Sequence, residues 1–331
     1  MRLRRRSEGA SGGAPRRTRL FFTTDVHGSD VCFRKFVNAA RAYEADVLVL
    51  GGDITGKQLV PLVRQGDGTI EARFGGELHR VEGESAVKDV LVTLADAGHY
   101  GIVCDRGEVD RLREDPEYRA SIFERELLAR LERWLAIADE RLAGSGIRCL
   151  IQGGNDDFDA CTELISQAEH VECPEDRVLV MDDGREIISC GRANMTPWAC
   201  PRDVPEQRLE EMIESMASRL SRPETAIFNL HCPPVDTPLD EAPALGEDLK
   251  PKVGPAGIEL AHVGSTSVRT AIERHQPLVS LHGHIHECRA SVRIGRTLCV
   301  NPGSSYSEGI LHGALMDIAD EGVRDFVLVT G

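Results

Sequence analysis

The stretch Leu281-His282-Gly283-His284-Ile285-His286 places three imidazoles within five residues, directly after a short apolar run at 277–281. A buried imidazole needs partners for both ring nitrogens, so a core gains nothing from three together. A metal ion does use them, histidine being the commonest protein ligand to transition metals. In an extended segment residues two apart point the same way, so side-chain parity admits His282, His284 and His286 alike. Four further stretches offer compatible donors: Asp25-Val26-His27, Gly51-Gly52-Asp53, Gly153-Gly154-Asn155-Asp156-Asp157, and His231. Imidazole, carboxylate and amide donors without a thiolate suit Mn, Fe, Zn, Ni or Co better than calcium. Glycines beside Asp53, Asn155 and His284 allow a close approach of backbone and ion.

What must position these residues is a set of short strands. Each motif follows an apolar, β-prone run: 20–24, 46–50, 147–151, 226–230 and 277–281. Ser29 or Asp30 predicts the cap of a helix to about residue 43, in which Val31, Phe33, Val37 and Ala40 keep helical spacing. A strand–helix–strand opening implies an α/β sheet, in which ligands bind beyond the carboxyl ends of strands. Further helices are expected over 158–168, 204–220 and 265–275, and β-prone pieces over 178–181, 186–190, 289–294, 297–301, 313–318 and 323–329. A Pro/Gly-rich loop covers 233–257, and no fixed-period repeat or linker marks a second core.

Between 57 and 146 the pattern changes. Residues 69–81, centred on Gly75-Gly76, read as a β-hairpin, 85–97 as a helix and 118–142 as a long amphipathic helix. We expect 57–146 to be an elaboration inserted between core strands, with the hairpin a candidate lid. Two strings mislead. Gly51 to Lys57 matches the GxxxxGK of a phosphate-binding loop, but Gln58 stands where a hydroxyl should meet magnesium. Asp53 would also put a carboxylate inside a phosphate cradle, and Pro61 disfavours an immediate long helix. Asp105-Arg106-Gly107 resembles another phosphatase tripeptide, but without a preceding strand it reads as a turn.

Composition bounds the rest. The chain has 331 residues, 41% hydrophobic and 28% charged, with a net charge of −15. The first nineteen residues hold seven Arg and one Glu, so the remaining body carries about −21. That body argues against a nonspecific nucleic-acid binder. Residues 1–18 read as a disordered basic leader, with 19–331 forming a single domain. No apolar run approaches the roughly 18 residues of a membrane span. Ten scattered Cys without a CxxC pair suit reduced thiols in the cytoplasm.

Taken in order, Asp25-x-His27, Gly52-Asp53, Gly154-Asn155-x-Asp157, His231 and Gly283-His284-x-His286 resemble the calcineurin-like metallophosphoesterase superfamily over about 20–305. Asn301-Pro302-Gly303-Ser304 after the last histidines points to its stand-alone bacterial and archaeal branch. The resemblance implies a four-layer α-β-β-α sandwich: two mixed sheets flanked by helices, with the metal site at strand C-terminal ends. It implies two divalent ions, one held by Asp25, His27, Asp53 and His286, the other by Asp53, Asn155, His231 and His284. Asp53, Asn155 and Asp157 are the expected catalytic residues, and His282 is left a supporting role. The implied reaction is hydrolysis of a phosphodiester, or of a monoester with a good leaving group, by metal-activated hydroxide on a small or nucleotide-like substrate. A noncatalytic scaffold and a nuclease are the alternatives within the superfamily. One departure stands out: many members have His after the motif asparagine, where this chain has Asp156. A carboxylate beside two dications stays ionised and is a poor general acid. His79 or His99 of the inserted region are candidates to replace it.

Overall fold

A computed structural model describes residues 17–255 and 257–331. The expected basic leader therefore lies outside the described residues except for Arg17 and Thr18, and Thr18 already opens the first strand. The strands β1 (Thr18–Thr23), β2 (Val47–Leu50), β3 (Gln58–Arg64), β4 (Ile70–Phe74), β5 (Glu77–Val81), β6 (His99–Cys104) and β7 (Arg148–Ile151) lie in the first half. With them run the helices α1 (Asp30–Ala42), α2 (Glu84–Asp96), α3 (Arg106–Glu114) and α4 (Pro116–Leu142). After α5 (Asp159–Ile165) come β8 (Val178–Val180), β9 (Glu186–Cys190), the short β10 (Ala193–Asn194) and β11 (Asp203–Val204), α6 (Glu206–Ala217) and β12 (Ile227–Leu230). The loop beyond β12 carries only small pairs: β13 (Glu241–Pro243) with β16 (Leu260–His262), and β14 (Val253–Gly254) with β15 (Gly257–Ile258). The chain closes with α7 (Thr266–His275), β17 (Val279–Leu281), β18 (Ala290–Ile294), β19 (Thr297–Asn301), β20 (His312–Ala319) and β21 (Gly322–Thr330).

Two mixed sheets form the centre, in the orders β21-β20-β1-β2-β7 and β18-β19-β17-β12-β9-β8. The strands β1, β2 and β7 run parallel, as do β9, β12, β17 and β19. Parallel strands covered on both faces need apolar side chains in both directions, which is why their sequences show no polar alternation. Alternate residues divide cleanly. Leu20, Phe22, Val47, Val49 and Leu150 meet Ile187, Ile227, Val279, Leu281 and Val300 between the sheets. Phe21, Leu48, Leu50, Cys149 and Ile151 face outward onto α1, α4 and α5. On the other side Ile188, Phe228, Leu230 and Cys299 pack on α6 and α7. The result is the expected four-layer sandwich.

Helix α1 begins where Ser29, its N-cap, accepts a hydrogen bond from the Cys32 N–H. Its Phe33 ring stacks on Trp134 of α4 at 4.3 Å, and the Trp134 indole N–H donates to Asp30 at 2.7 Å.

The stretch 57–146 divides in two. β3 to β6 make a third sheet, ordered β5-β4-β3-β6, with a small core of Val60, Leu62, Ile70, Ala72 and Leu94 of α2. The long α4 instead buries Leu127, Leu131, Trp134 and Leu135 in the main core, so it belongs to the outer helical layer. Two features run against the sequence reading. β3 and β6, adjacent and parallel, are strands where none were expected, because the former holds Pro61 and the latter Gly101. Asp105 is not in an isolated turn: it follows β6 directly and caps α3 in a reciprocal capping box with Glu108. The hairpin expected as a lid is the far edge of the third sheet. With α3 it lines a cavity of about 660 Å³, away from the histidine cluster. No helix among the described residues is long and apolar enough to cross a membrane.

Candidate metal centre

The ends of β1 and β2 leave their sheet side by side. The N–H groups of Asp25, His27 and Gly28 donate to the carbonyls of Gly52, Asp53 and Ile54 at 2.9, 3.0 and 2.8 Å. This ladder holds Asp25 and His27 against Asp53. Behind β17, the Asn301 amide donates to the Gly283 and Ile285 carbonyls, both at 3.1 Å, while the Ser304 hydroxyl donates to the Asp25 carbonyl at 2.7 Å. The Asn-Pro-Gly-Ser stretch thus clamps the histidine loop to the end of β1.

The backbone is strained where these segments meet. Ten described non-glycine residues have positive φ, and four of them are Asp25 (54°), His27 (39°), Asp53 (48°) and His284 (69°). Such conformations are costly and persist only where the surroundings over-determine them, typically at functional sites. Gly154 and Gly283 make the approach possible: a Cβ on the first would lie 2.0 Å from Asp53 Oδ1, and on the second 2.3 Å from Asp25 Oδ2.

Two groups of donors result. Asp25, His27, Asp53 and His286 offer ligand atoms within 4.8 Å of one another, as do Asp53, His231 and His284. Asp53 belongs to both. The ring orientations favour metal binding at Nε2. His231 Nδ1 lies 3.2 Å from the Gly51 carbonyl and His27 Nδ1 3.3 Å from the Thr55 carbonyl, contacts that require an N–H on Nδ1 and leave Nε2 with a free lone pair. The Nε2 atoms of His27 and His286 lie 2.9 Å apart, an arrangement that needs a proton or a cation between them. Asn155 Nδ2 donates to Asp203 Oδ1 at 2.8 Å, which fixes the amide. Asn155 Oδ1 and His231 Nε2 are buried and have no hydrogen-bond partner. Orphaned buried acceptors are costly unless something else binds them. A cation shared with Asp53 satisfies both, so the donor set fits a metal ion.

Electrostatics agree. Burial pushes the pKa values of His27 and His284 down to about 4, so both rings are neutral at physiological pH. Burial also opposes the charge on Asp25 and Asp53, but the surrounding imidazoles outweigh it and hold both carboxyls below the usual range. At His231 burial disfavours the cation, yet Asp53 at 3.3 Å prevails and raises the pKa to about 9. Ionised carboxylates and neutral imidazoles are the forms that bind metals, so an ion bound at His231 would displace the proton that Asp53 holds there.

His282 and Asp157 stand apart from this cluster. His282 is fully buried, with Nδ1 2.8 Å from the Leu230 carbonyl and 3.0 Å from that of Cys232. It braces the end of β12. Asp157, expected among the catalytic residues, is turned away. Its oxygens accept from the N–H groups of Ile54 (2.9 Å), Thr55 (2.9 Å) and Gly154 (2.6 Å) and from the Thr55 hydroxyl (2.5 Å). With its lone pairs engaged it ties the loop that carries Asp53 to the loop that carries Asn155. His79, a candidate acid, stacks on Phe74 in the outer sheet at 3.9 Å. No contact among the described residues brings the His99 ring to Asp156.

The sequence reading missed several residues. Asp203 orients Asn155 from 48 positions away and carries no local signal. The buried Arg130 donates to the carbonyls of Gly28 and His99, both at 2.7 Å. The Tyr306 ring packs on His27 at 4.7 Å and on His286 at 5.9 Å. Lys57 forms an ion pair with Asp156. Its only signal was a lysine in a string that resembled something else.

No protein-family model matches the chain. It is 28% identical over 143 residues to an uncharacterized protein of Methanocaldococcus jannaschii, MJ1162, a match over 42% of this chain. The chain spans 58% of the length of that relative. Among solved structures, TT1561 of Thermus thermophilus aligns over 95% of this chain and 98% of its own, with a TM-score of 0.52 and 14% identity. Yfce, a phosphoesterase from E. coli, aligns over 93% of this chain and 98% of its own, at 12% identity and a TM-score of 0.28, too low to bear on function. With two mixed sheets face to face and helices outside both, the chain has the α-β-β-α sandwich that its motifs imply, and its fold is similar to that of TT1561.

Proposed function

We propose that the protein is a metal-dependent hydrolase of phosphoesters that holds two divalent transition-metal ions. One ion is assigned to Asp25, His27, Asp53 and His286, the other to Asp53, Asn155, His231 and His284. The observation that carries this reading is the pair of donor groups meeting at Asp53, with Asn155 Oδ1 and His231 Nε2 buried and without a hydrogen-bond partner. When bound, two such ions activate a water and neutralise phosphoryl oxygens.

The chain's own residues position and neutralise. Asp157 fixes the Asp53 loop, Asp203 sets the Asn155 amide, and the Gly51 and Thr55 carbonyls set the tautomers of His231 and His27. Asp156 is paired with Lys57 and is in no position to act as an acid. Substrates whose leaving groups depart without protonation are therefore preferred: phosphodiesters and aryl esters over alkyl monoesters. The acidic chain, at −15, favours a small or nucleotide-like substrate over a nucleic-acid polymer. Ten unpaired cysteines suit a cytoplasmic setting.

The test is hydrolysis of bis(p-nitrophenyl) phosphate after metal stripping and reloading with Mn, Ni or Zn. Wild type is expected to turn over with at least one metal, Asp53→Asn with none, and aryl esters to outrun alkyl ones. A wild type inert with every metal refutes the enzyme reading and favours a scaffold.

A further inference from the structure

Lys57 is the lysine of the phosphate-loop-like string Gly51 to Lys57, a reading the sequence argued against. The fold uses the string differently. Its first part ends β2 and presents Asp53, and the rest is pinned down residue by residue. Asp157 accepts from the Ile54 and Thr55 N–H groups, and the Tyr100 hydroxyl from the Gly56 N–H at 2.8 Å. A Cβ at Gly56 would lie 2.1 Å from the Gly98 carbonyl, so this segment has one path. The Lys57 backbone is therefore fixed beside the cluster while its side chain stays 49% exposed.

The ammonium has three donors, and among the described residues its one ion-pair partner is Asp156. Its charge acts on three of the metal donors, Asp53, His27 and His286, and on Tyr306 beside them. Burial opposes that charge, but Asp53 and Asp156 outweigh it, so Lys57 is a cation throughout the physiological range. Asp156, 17% exposed, would by itself repel an incoming phosphate. Lys57 neutralises that charge and offers a cation at the rim.

We propose that Lys57 binds the phosphoryl group of the substrate, donating to a non-bridging oxygen at the mouth of the cluster and exchanging its contact with Asp156 for one with phosphate. This rests on the phosphoesterase reading above. The alternative is a structural ion pair, and the two differ in the sign of one substitution. A structural pair is broken equally by Lys57→Met and by Asp156→Asn. A substrate-binding cation is lost only in the first; the second removes an anion that competes with phosphate.

The experiment measures inorganic phosphate binding to the metal-loaded protein by calorimetry and as competitive inhibition of p-nitrophenyl phosphate hydrolysis. Bound metal and thermal midpoint are read on the same samples. Lys57→Met is expected to weaken phosphate about tenfold or more, the loss typical of a hydrogen bond to a charged group, with metal content unchanged. Asp156→Asn is expected to bind phosphate as well as wild type or better. Equal weakening in both variants, or none in Lys57→Met, overturns the role of Lys57 while the phosphoesterase reading stands. Wild type that neither binds phosphate nor hydrolyses any ester refutes that reading, and the proposal with it. Should Lys57→Met fail to fold, Lys57→Gln carries the same comparison.

Discussion

Asp157 gives the sharpest test of how the site is held. Its carboxylate is fully buried and accepts from Ile54 N and Gly154 N on Oδ2, and from Thr55 N and Thr55 Oγ1 on Oδ1. Burial and the neighbouring Asp53 raise its pKa above the ordinary carboxylate value, so the four donors work against a real desolvation cost. In Asp157→Asn the amide oxygen can keep Ile54 N and Gly154 N. The new NH2 then faces the Thr55 N–H, a donor against a donor, although the Thr55 hydroxyl can turn and accept. One hydrogen bond to a charged group is lost outright, at about 1.5–3 kcal/mol, and the others lose their charge assistance. A destabilisation of about 3 kcal/mol is expected, a large share of the roughly 5–15 kcal/mol that holds a typical domain. Asp157→Ala leaves four donors without a partner and should cost more. The loop bearing Asp53 loosens with it, and metal affinity should fall by about 10–100-fold, as when other outer partners of metal ligands are lost. Urea unfolding of the metal-free variants measures the first effect and metal titration the second. An Asp157→Asn protein within about 0.5 kcal/mol of wild type, the range of an ordinary surface substitution, refutes the buried four-donor arrangement.

Substitutions at three further positions probe the surroundings. His286→Ala should lose metal and activity by more than the ~10–100-fold of an outer partner, whereas His282→Ala should keep its metal and cost about 2–3 kcal/mol in unfolding, since it leaves a cavity and two carbonyls short of a donor; elemental analysis beside urea unfolding separates them, and equal metal loss in both refutes the assignment. Arg130→Ala removes two buried charge-assisted bonds, to Gly28 and His99, and should destabilise by about 3–5 kcal/mol, with Arg130→Lys recovering only part because an ammonium cannot span both carbonyls; a loss below about 1 kcal/mol would show that this bridge contributes little.

Much of the core was legible because parallel strands covered on both faces are continuously apolar. The runs at 20–24, 46–50, 147–151, 226–230 and 277–281 mark inner strands wherever the rest of the chain goes. The donors were legible for a related reason: polar residues at the carboxyl ends of such strands have few structural uses, and their order along the chain carries the resemblance. The third sheet was only half legible. The β4–β5 hairpin announces itself through Gly75-Gly76, a local signal. β3 and β6 pair across 41 residues, from Gln58 to His99, and neither Pro61 nor Gly101 favours a strand until the partner is present.

By itself the sequence determined which residue types are gathered at the strand ends, because apolar periodicity and strand-end chemistry are properties of contiguous residues. Only the tertiary structure decided what each one does. Asp157 sits two residues from Asn155 and shares its motif, yet its carboxylate turns inward to the donors of Ile54 and Thr55, more than a hundred positions away. Asp25, His27, Asp53 and His284 are held at positive φ, a conformation that Asp and His tolerate better than most residues but that contacts between the strand-end loops must hold in place. Lys57 gains its partner in Asp156 from the loop that follows β7. Hydrogen bonds and ion pairs depend on distance in space, and distance between strand ends is set by sheet order, which no short window of sequence contains.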